Sequence, residues 1–355
     1  MLADVAPVLR ATDIAFGQME CPISERGTPA PNARLAMRTT PDVAPALAAA
    51  GFTLMSVAGN HGLDYGAAAL LDTLEYLGKA CIATAGAGAN LAMARAPTFV
   101  TTQDKCVALL AATSILPTGY AASDNRPGCA PMRGHTHYEQ IEHDQPGTPP
   151  RIHTFADPDD LAALCDAVRA AKQEADVVLV SLHWGIHFVR ASVADYQREI
   201  ARELIAAGAD AILGHHPHLL KGVEFIAGKP VFYSLGNFAI EQPAAFDEAI
   251  RTHESFAHLQ TLSEGWQPQA KYQTPPETRH SVIASLEFSS GDPRVTLHPC
   301  RIDDDSVPRL LHRGQSEWAE WLSYITAITA EAGLNATYTP GSDSTITCAP
   351  GSPAG

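Results

Sequence analysis

Short apolar runs alternate with amphipathic stretches along the first 240 residues of the chain. The runs Leu54–Ala58, Cys106–Thr113 and 176–182 are continuous rather than alternating, which is typical of strands buried on both faces. Gly66–Leu77 places its leucines on one helical face, and Asp64 stands where it can cap the start of that helix. This alternation of strand and helix predicts a layered α/β domain.

Three segments fall outside this pattern. Residues near 114–158 and 239–280 show no period and are predicted to be irregular insertions. Residues 334–355 are rich in Thr, Ser, Pro and Gly and are predicted to be a disordered tail, which leaves 1–333 as a single domain.

The other predicted elements are helices over Pro41–Ala50, Asp159–Glu174, 193–207 and Trp318–Ala332, strands over Thr12–Gly17, 209–213 and near 282–288 and 294–301, and a hairpin of Val223–Ile226 with Pro230–Leu235.

Composition limits the partners that we expect. The chain has 355 residues, 46% hydrophobic, and a formal net charge of −15 from 24 basic and 39 acidic residues, which argues against nucleic acid or an anionic membrane as the main partner. No apolar run is long enough to span a bilayer, and the first residues do not resemble a signal peptide. We therefore expect a cytoplasmic protein. The seven cysteines include no Cys-x-x-Cys pair, which fits reduced thiols.

Polar donors follow three of the predicted strands. His216 and His218 lie two residues apart, just after the strand at 209–213, while Asn60 and His61 follow Leu54–Ala58, and His183 follows 176–182. Because open α/β sheets place their ligands at the carboxyl ends of the strands, and because imidazole and amide groups bind divalent metals, this pattern predicts a metal site.

Simpler interpretations remain open for some of these residues. A single His at a strand end is more often a structural polar residue than a ligand, and His187 is equally consistent with a ligand and with the rim of the site. Asn237 either belongs to an ordinary β-turn or reaches the site. In the insertion near 114–158, Arg126 and Arg133 can offer positive charge to an anionic substrate only if that segment folds over the site.

Five motifs follow one another along about residues 5–240. They are Ala15-Phe16-Gly17-Gln18-Met19-Glu20-Cys21-Pro22-Ile23, Ala58-Gly59-Asn60-His61-Gly62-Leu63-Asp64-Tyr65-Gly66, His183-Trp184-Gly185, Gly214-His215-His216-Pro217-His218 and Phe232-Tyr233-Ser234-Leu235-Gly236-Asn237-Phe238. In this order they resemble the CapA family of capsule and poly-γ-glutamate synthesis proteins, which belongs to the calcineurin-like metallophosphoesterase superfamily.

The resemblance implies an α/β fold of four layers, the α/β/β/α sandwich of metallophosphatases, and two divalent cations that are Mn, Fe or Zn. It also implies a role for each residue of the site. Glu20 bridges the cations, Asn60, His183 and His216 complete one metal site, His218 belongs to the other, His61 is the acid at the leaving oxygen, and Asp64 orients His61.

The sequence departs from the family pattern at three points. Gln18-Met19-Glu20 stands where relatives usually have Asn-Leu-Glu, and His187 stands where many have Glu. Relatives also begin with a strand ending in Gly-Asp, some tens of residues before the segment that matches Val5–Ile23. We therefore expect either a fold that lacks its first core strand and one anionic ligand, or a reading frame that begins upstream.

These observations favour a metal-dependent, phosphoesterase-like hydrolase of capsule or exopolymer biosynthesis, acting on an anionic small molecule or polymer. Two alternatives remain open: a non-hydrolytic accessory protein of the capsule machinery, and a scaffold that binds metal but has lost turnover.

Overall fold

The computed structural model describes residues 1–33, 35–240, 248–249, 252, 254–262, 265–267, 270–289 and 291–351. Its helices are α1 (Ala6–Arg10), α2 (Val43–Ala50), α3 (Gly66–Lys79), α4 (Leu91–Arg95), α5 (Pro158–Glu174), α6 (Asp195–Ala207), α7 (Glu254–Leu262) and α8 (Ser316–Glu331). Its strands are β1 (Phe16–Gln18), β2 (Leu54–Ser56), β3 (Ala83–Ala85), β4 (Ala87–Gly88), β5 (Thr98–Thr101), β6 (Cys106–Thr113), β7 (Gly128–Cys129), β8 (Gly134–Glu139), β9 (Arg151–Ala156), β10 (Val177–His183), β11 (Ala211–His215), β12 (Val223–Ile226), β13 (Lys229–Phe232), β14 (His280–Glu287), β15 (Arg294–Ile302), β16 (Pro308–Leu310), β17 (Ala336–Pro340) and β18 (Ile346–Pro350).

Six strands form a central sheet in the order β12-β13-β11-β10-β6-β5. The strands β6, β10, β11 and β13 run parallel, and the edge strands β5 and β12 pair antiparallel. All seven residues of β10 are buried, as the continuous apolar run predicts for a parallel strand covered on both faces. The parallel register brings the carboxyl ends of β10 and β11 together, with His183 opposite His215.

Alternate residues of each central strand enter two different cores. In β6, Leu109 packs toward a parallel front sheet of order β1-β2-β3, whereas Leu110 packs toward α5 and α6. In β2, Leu54 faces the central sheet, whereas Met55 packs against α1, α2 and α3. Helices therefore cover the outer face of each sheet, and the predicted α/β/β/α sandwich of four layers is confirmed.

The prediction of a disordered tail over 334–355 is wrong for residues 336–350. These residues form the hairpin of β17 and β18, which pairs with β15 in a C-terminal sheet of order β14-β15-β18-β17. Ile346 and Cys348 alternate with exposed residues and are buried against this sheet and α8. The composition suggested disorder, but the period-2 pattern of Ile346 and Cys348 is that of a half-buried strand.

The insertion predicted near 114–158 is not wholly irregular, since β8 and β9 form a regular antiparallel hairpin there. The hairpin packs against α6 through Thr154, whose hydroxyl accepts a hydrogen bond from Tyr196 N at 3.1 Å. The insertion predicted near 239–280 contains the helix α7. The following residues of this insertion lie outside the described residues: 241–247, 250–251, 253, 263–264 and 268–269. Among the described helices, none is both long and apolar enough to cross a bilayer.

Candidate functional site

A cleft of about 2080 Å³ opens where β1, β2 and β11 end. Its polar wall is built from loops that follow these strands, because each parallel strand delivers its next residues to the same edge. His183, the last residue of β10, is buried and contacts Asn60 and His216 of this wall. The sequence-predicted residues that line the cleft are Glu20, Asn60, His61, Asp64, His187, His216 and His218.

Three donor atoms converge at the centre of this wall. His183 Nε2 lies 2.6 Å from Asn60 Oδ1 and 3.2 Å from His216 Nδ1. Burial lowers the pKa of both imidazoles well below the usual value, and neighbouring histidines lower it further. Both rings are therefore neutral at pH 7, which is the state in which an imidazole nitrogen can bind a metal.

The backbone around the two histidines after β11 is unusual. His216 has φ 98° and His218 has φ 57°, a region that non-glycine residues rarely adopt and that is enriched at active sites. Gly214 precedes them because a Cβ there would lie 2.4 Å from the carbonyl oxygen of Tyr233. The Gly-His-His-Pro-His motif thus combines a glycine packed closely against the neighbouring strand with two histidines at positive φ.

His218 and Glu20 form a second group of potential metal ligands beside the first. His218 Nδ1 is 2.6 Å from Asn237 Oδ1, and His218 Nε2 is 3.5 Å from Glu20 Oε1. If Nδ1 carries the proton that Asn237 accepts, the lone pair of Nε2 faces a buried carboxylate oxygen that has no aligned hydrogen bond in the described structure. Two acceptors facing each other in this way fit a cation between them.

His187 links the two groups. Its ring stacks on that of His216 with centroids 4.0 Å apart, and its centroid lies 5.1 Å from that of His218. In the described part of the chain, no three side chains of the His, Cys, Asp and Glu types converge as a cation site. The three side chains that do converge are His183, His216 and Asn60, two imidazoles and an amide. The bridging role of Glu20 stays a prediction.

His61 and Asp64 form a separate pair on the same wall. His61 Nδ1 lies 2.6 Å from Asp64 Oδ2, as expected for an orienting carboxylate. The expected helix cap is wrong: Tyr65 is the N-cap of α3, and no side chain caps it. The Asp64 carboxylate instead accepts hydrogen bonds from Met37 N at 2.8 Å and from the Tyr120 hydroxyl at 2.9 Å.

Several residues of the site have no local signal in the sequence. Tyr120 comes from the long insertion, and Arg38 lines the cleft from the segment before α2. Two arginines of the insertion do not line the cleft in the described structure: Arg133 pairs with Asp160 at 2.9 Å, and Arg126 donates to the Ala121 carbonyl at 3.4 Å. Arg38 is recognisable only from the fold.

Comparison with known proteins gives a consistent family match. A family model described as "Bacterial capsule synthesis protein PGA_cap" matches residues 1–242. The chain is similar to "PGA biosynthesis protein CapA" of Bacillus subtilis (strain 168), at 31% identity over 67% of this chain and 56% of that protein. It is also similar to "Capsule biosynthesis protein CapA" of Bacillus anthracis, at 28% identity over 67% of this chain and 53% of that protein.

The chain spans little more than half the length of these two curated relatives. Among solved structures, a hypothetical protein from Thermus thermophilus matches with a TM-score of 0.41 and 14% identity, over 85% of this chain and 87% of that one.

Proposed function

The chain belongs to the bacterial capsule synthesis family PGA_cap, and from this membership and the geometry of the cleft we propose that it is a metal-dependent hydrolase of phosphoester or related bonds that serves capsule or poly-γ-glutamate biosynthesis. The observation that carries the proposal is the convergence of Asn60 Oδ1, His183 Nε2 and His216 Nδ1 in the wall that also holds the His61–Asp64 pair.

The residues of this wall fit a divalent cation. Two neutral imidazoles and an amide oxygen are suitable ligands for Mn, Fe or Zn, and Glu20 with His218 offers a second position beside them. A bound cation would supply Lewis-acid activation of the attacked group and of a water molecule. The cation identity and the number bound are part of the proposal.

The protein's own contribution to the chemistry is a positioned proton donor. Because Asp64 engages His61 at Nδ1, Nε2 is the nitrogen that we assign to proton transfer in the cleft. In its protonated form the ring carries a second proton on Nε2, which it can deliver to a departing oxygen while Asp64 keeps the ring in place. Asp64 itself is buried, so it acts through His61.

Metal analysis combined with turnover tests this proposal. We expect the purified protein to hold about two equivalents of a divalent metal and to hydrolyse phosphomonoester or phosphodiester model substrates. His216→Ala should reduce both the metal content and kcat/KM, the latter by at least the roughly 10- to 100-fold typical of losing an outer-shell partner. His137→Ala is the matched control, because that imidazole is exposed on β8.

An accessory role without hydrolysis is the second candidate. It is favoured by the finding that, within the described residues, no three acidic, His or Cys side chains converge as a cation site. This alternative predicts at most one equivalent of metal and no turnover. It also predicts that a capsule or exopolymer assembly partner is recovered equally well with wild-type protein and with His61→Ala. Metal-dependent turnover that His61→Ala abolishes would exclude it.

A further inference from the structure

Arg38 occupies a distinctive position among the cations of the cleft. Three basic side chains line the cleft in the described part of the chain, and they are Arg38, Lys105 and Lys271. Lys271 is already paired with Asp305. Lys105 lies at the amino end of β6, opposite the edge where the donors gather. Arg38 is thus the cation beside the His61–Asp64 pair.

The segment before α2 fixes the backbone of Arg38 against the catalytic wall. Met37 N donates at 2.8 Å to Asp64 Oδ2, the same oxygen that contacts His61, and Ala30 N donates at 2.8 Å to the Asp64 carbonyl. Gly27 permits the close packing here, since its φ is 87° and a Cβ would lie 1.9 Å from the Tyr65 carbonyl oxygen.

The guanidinium group is held as well. It lies 4.3 Å from the centroid of the Tyr65 ring, and Nη1 donates to the Arg26 carbonyl at 3.3 Å. Arg26 is itself anchored, because its Nε donates to the Asp72 carboxylate on α3 at 2.9 Å. An exposed arginine normally loses side-chain entropy when it binds a ligand, and this prior restraint reduces that loss.

Arg38 also lacks the partner that most arginines of this acidic protein have. In the described structure no carboxylate lies within 4.0 Å of its guanidinium, whereas Arg26, Arg95, Arg133, Arg190 and Arg279 each form an ion pair. The hydrogen bond to the Arg26 carbonyl uses one N–H of Nη1. The other donors of the planar group are arranged to bind a carboxylate or phosphate through two parallel hydrogen bonds.

From this arrangement we infer that Arg38 binds an oxyanion of the substrate, either a phosphate or a carboxylate, and so selects anionic molecules for the cleft. The inference rests on the proposed function for the identity of the reacting bond, but anion binding itself does not require turnover. Glu20, Asp64, Asp304 and Asp305 also line the cleft and oppose the entry of an anion. The restrained cation of Arg38 offsets part of this repulsion.

Calorimetric titration of the full chain with inorganic phosphate, and separately with glutarate, tests the inference and distinguishes the two oxyanions. We expect at least one of them to bind, and Arg38→Gln to weaken that binding about 10- to 100-fold, as for loss of a charge-assisted hydrogen-bond pair. Tyr65→Leu should weaken it about 2- to 5-fold by removing the stacking surface. Thermal unfolding verifies that each variant is folded.

Arg126→Gln is the matched control, because Arg126 is an exposed arginine that contacts a backbone carbonyl outside the cleft. It should bind both anions within about twofold of wild type, as expected for a surface residue away from the ligand. Equal binding by Arg38→Gln and wild type, or no binding of either anion by wild type, would overturn the inference. If Arg38-dependent binding is found without hydrolysis of any model ester, the inference stands and the proposed hydrolase fails.

Discussion

At the level of single residues, the Asp64 carboxylate organises the side of the cleft that holds His61. It is buried, and its two oxygens receive three contacts, from His61 Nδ1, Met37 N and the Tyr120 hydroxyl. Burial and the neighbouring Asp64 raise the pKa of Tyr120, so its hydroxyl remains a donor at all ordinary pH values. A buried carboxylate that is fully hydrogen-bonded in this way is rigid, and it fixes the His61 ring in turn.

Asp64→Asn tests the orienting role of this carboxylate. The amide keeps the size of the side chain but turns one acceptor into a donor, which must face another donor. We expect kcat to fall about 10- to 100-fold with metal content unchanged. The measurement is steady-state kinetics on the model ester, together with metal analysis.

Tyr120→Phe is the control for this prediction, since it removes one bond from the other Asp64 oxygen. It should lower the free energy of unfolding by about 1 kcal/mol and change kcat by only a few-fold. Unchanged turnover in Asp64→Asn would show that the carboxylate does not act through His61.

At the level of elements, the loop after β10 is tied down from several sides. Phe188 N donates to the Pro217 carbonyl at 3.1 Å, and the Lys221 ammonium donates to the Val189 carbonyl. Arg190 forms ion pairs with Glu277 and with Glu331 of α8. These contacts hold His187 between the two histidines that follow β11, so the loop is part of the rigid wall rather than a mobile cover.

Lys221 should make stability depend on alkaline pH. Burial lowers its pKa to about 8, and Glu277 only partly offsets the effect, while an unfolded lysine titrates at about 10.4. Between these values the unfolded state binds more protons, so the free energy of unfolding should rise with pH, by about 1–2 kcal/mol from pH 7.5 to 9.5. Urea unfolding at the two pH values measures this change.

Lys221→Met removes the titrating group while it keeps an apolar stem of similar length. The free energy of unfolding of this variant should therefore rise less between pH 7.5 and 9.5 than that of the wild type, and the difference is the contribution of Lys221. The same slope in wild type and variant would contradict a lowered pKa for Lys221.

At the level of the whole molecule, the C-terminal hairpin contributes to the fold although it does not line the cleft. The β17–β18 hairpin pairs with β15 and contributes to the same core as α8, where Ile346 is completely buried beside Trp321 and Ile328. This core also includes Leu213 and Phe232 of the central sheet. The C-terminal sheet therefore supports the strands that position the histidines.

Ile346→Ala should consequently destabilise the whole fold. Removing a fully buried isoleucine is expected to lower the free energy of unfolding by about 2–5 kcal/mol. Chemical denaturation measures the change, and Thr347→Ala is the control, because that side chain is exposed on the same strand. Similar stability of the two variants would mean that the hairpin is not part of the cooperative unit.

Most elements of the first 240 residues could be predicted from periodicity, because strands buried on both faces and amphipathic helices have distinct local patterns. The predicted strand over Cys106–Thr113 matches β6 residue for residue, and Val223–Ile226 matches β12. The strand predicted over Thr12–Gly17 begins only at Phe16, and the short elements α1, α4, β3, β4 and β5 have no counterpart among the predictions. The C-terminal hairpin has the composition of a disordered segment, and only the alternation of Ile346 and Cys348 indicates a strand there.

The sequence by itself determined the strand ends and the donors placed on them, since an imidazole directly after a buried parallel strand must emerge at its carboxyl edge. Only the tertiary structure decided which donors meet. Asn60 and His183 are 123 residues apart, and Tyr120 is 56 residues from Asp64. Arg38 joins the site through the packing of its segment on Tyr65. Such contacts depend on how layers and loops pack together, and no local pattern of residues encodes them.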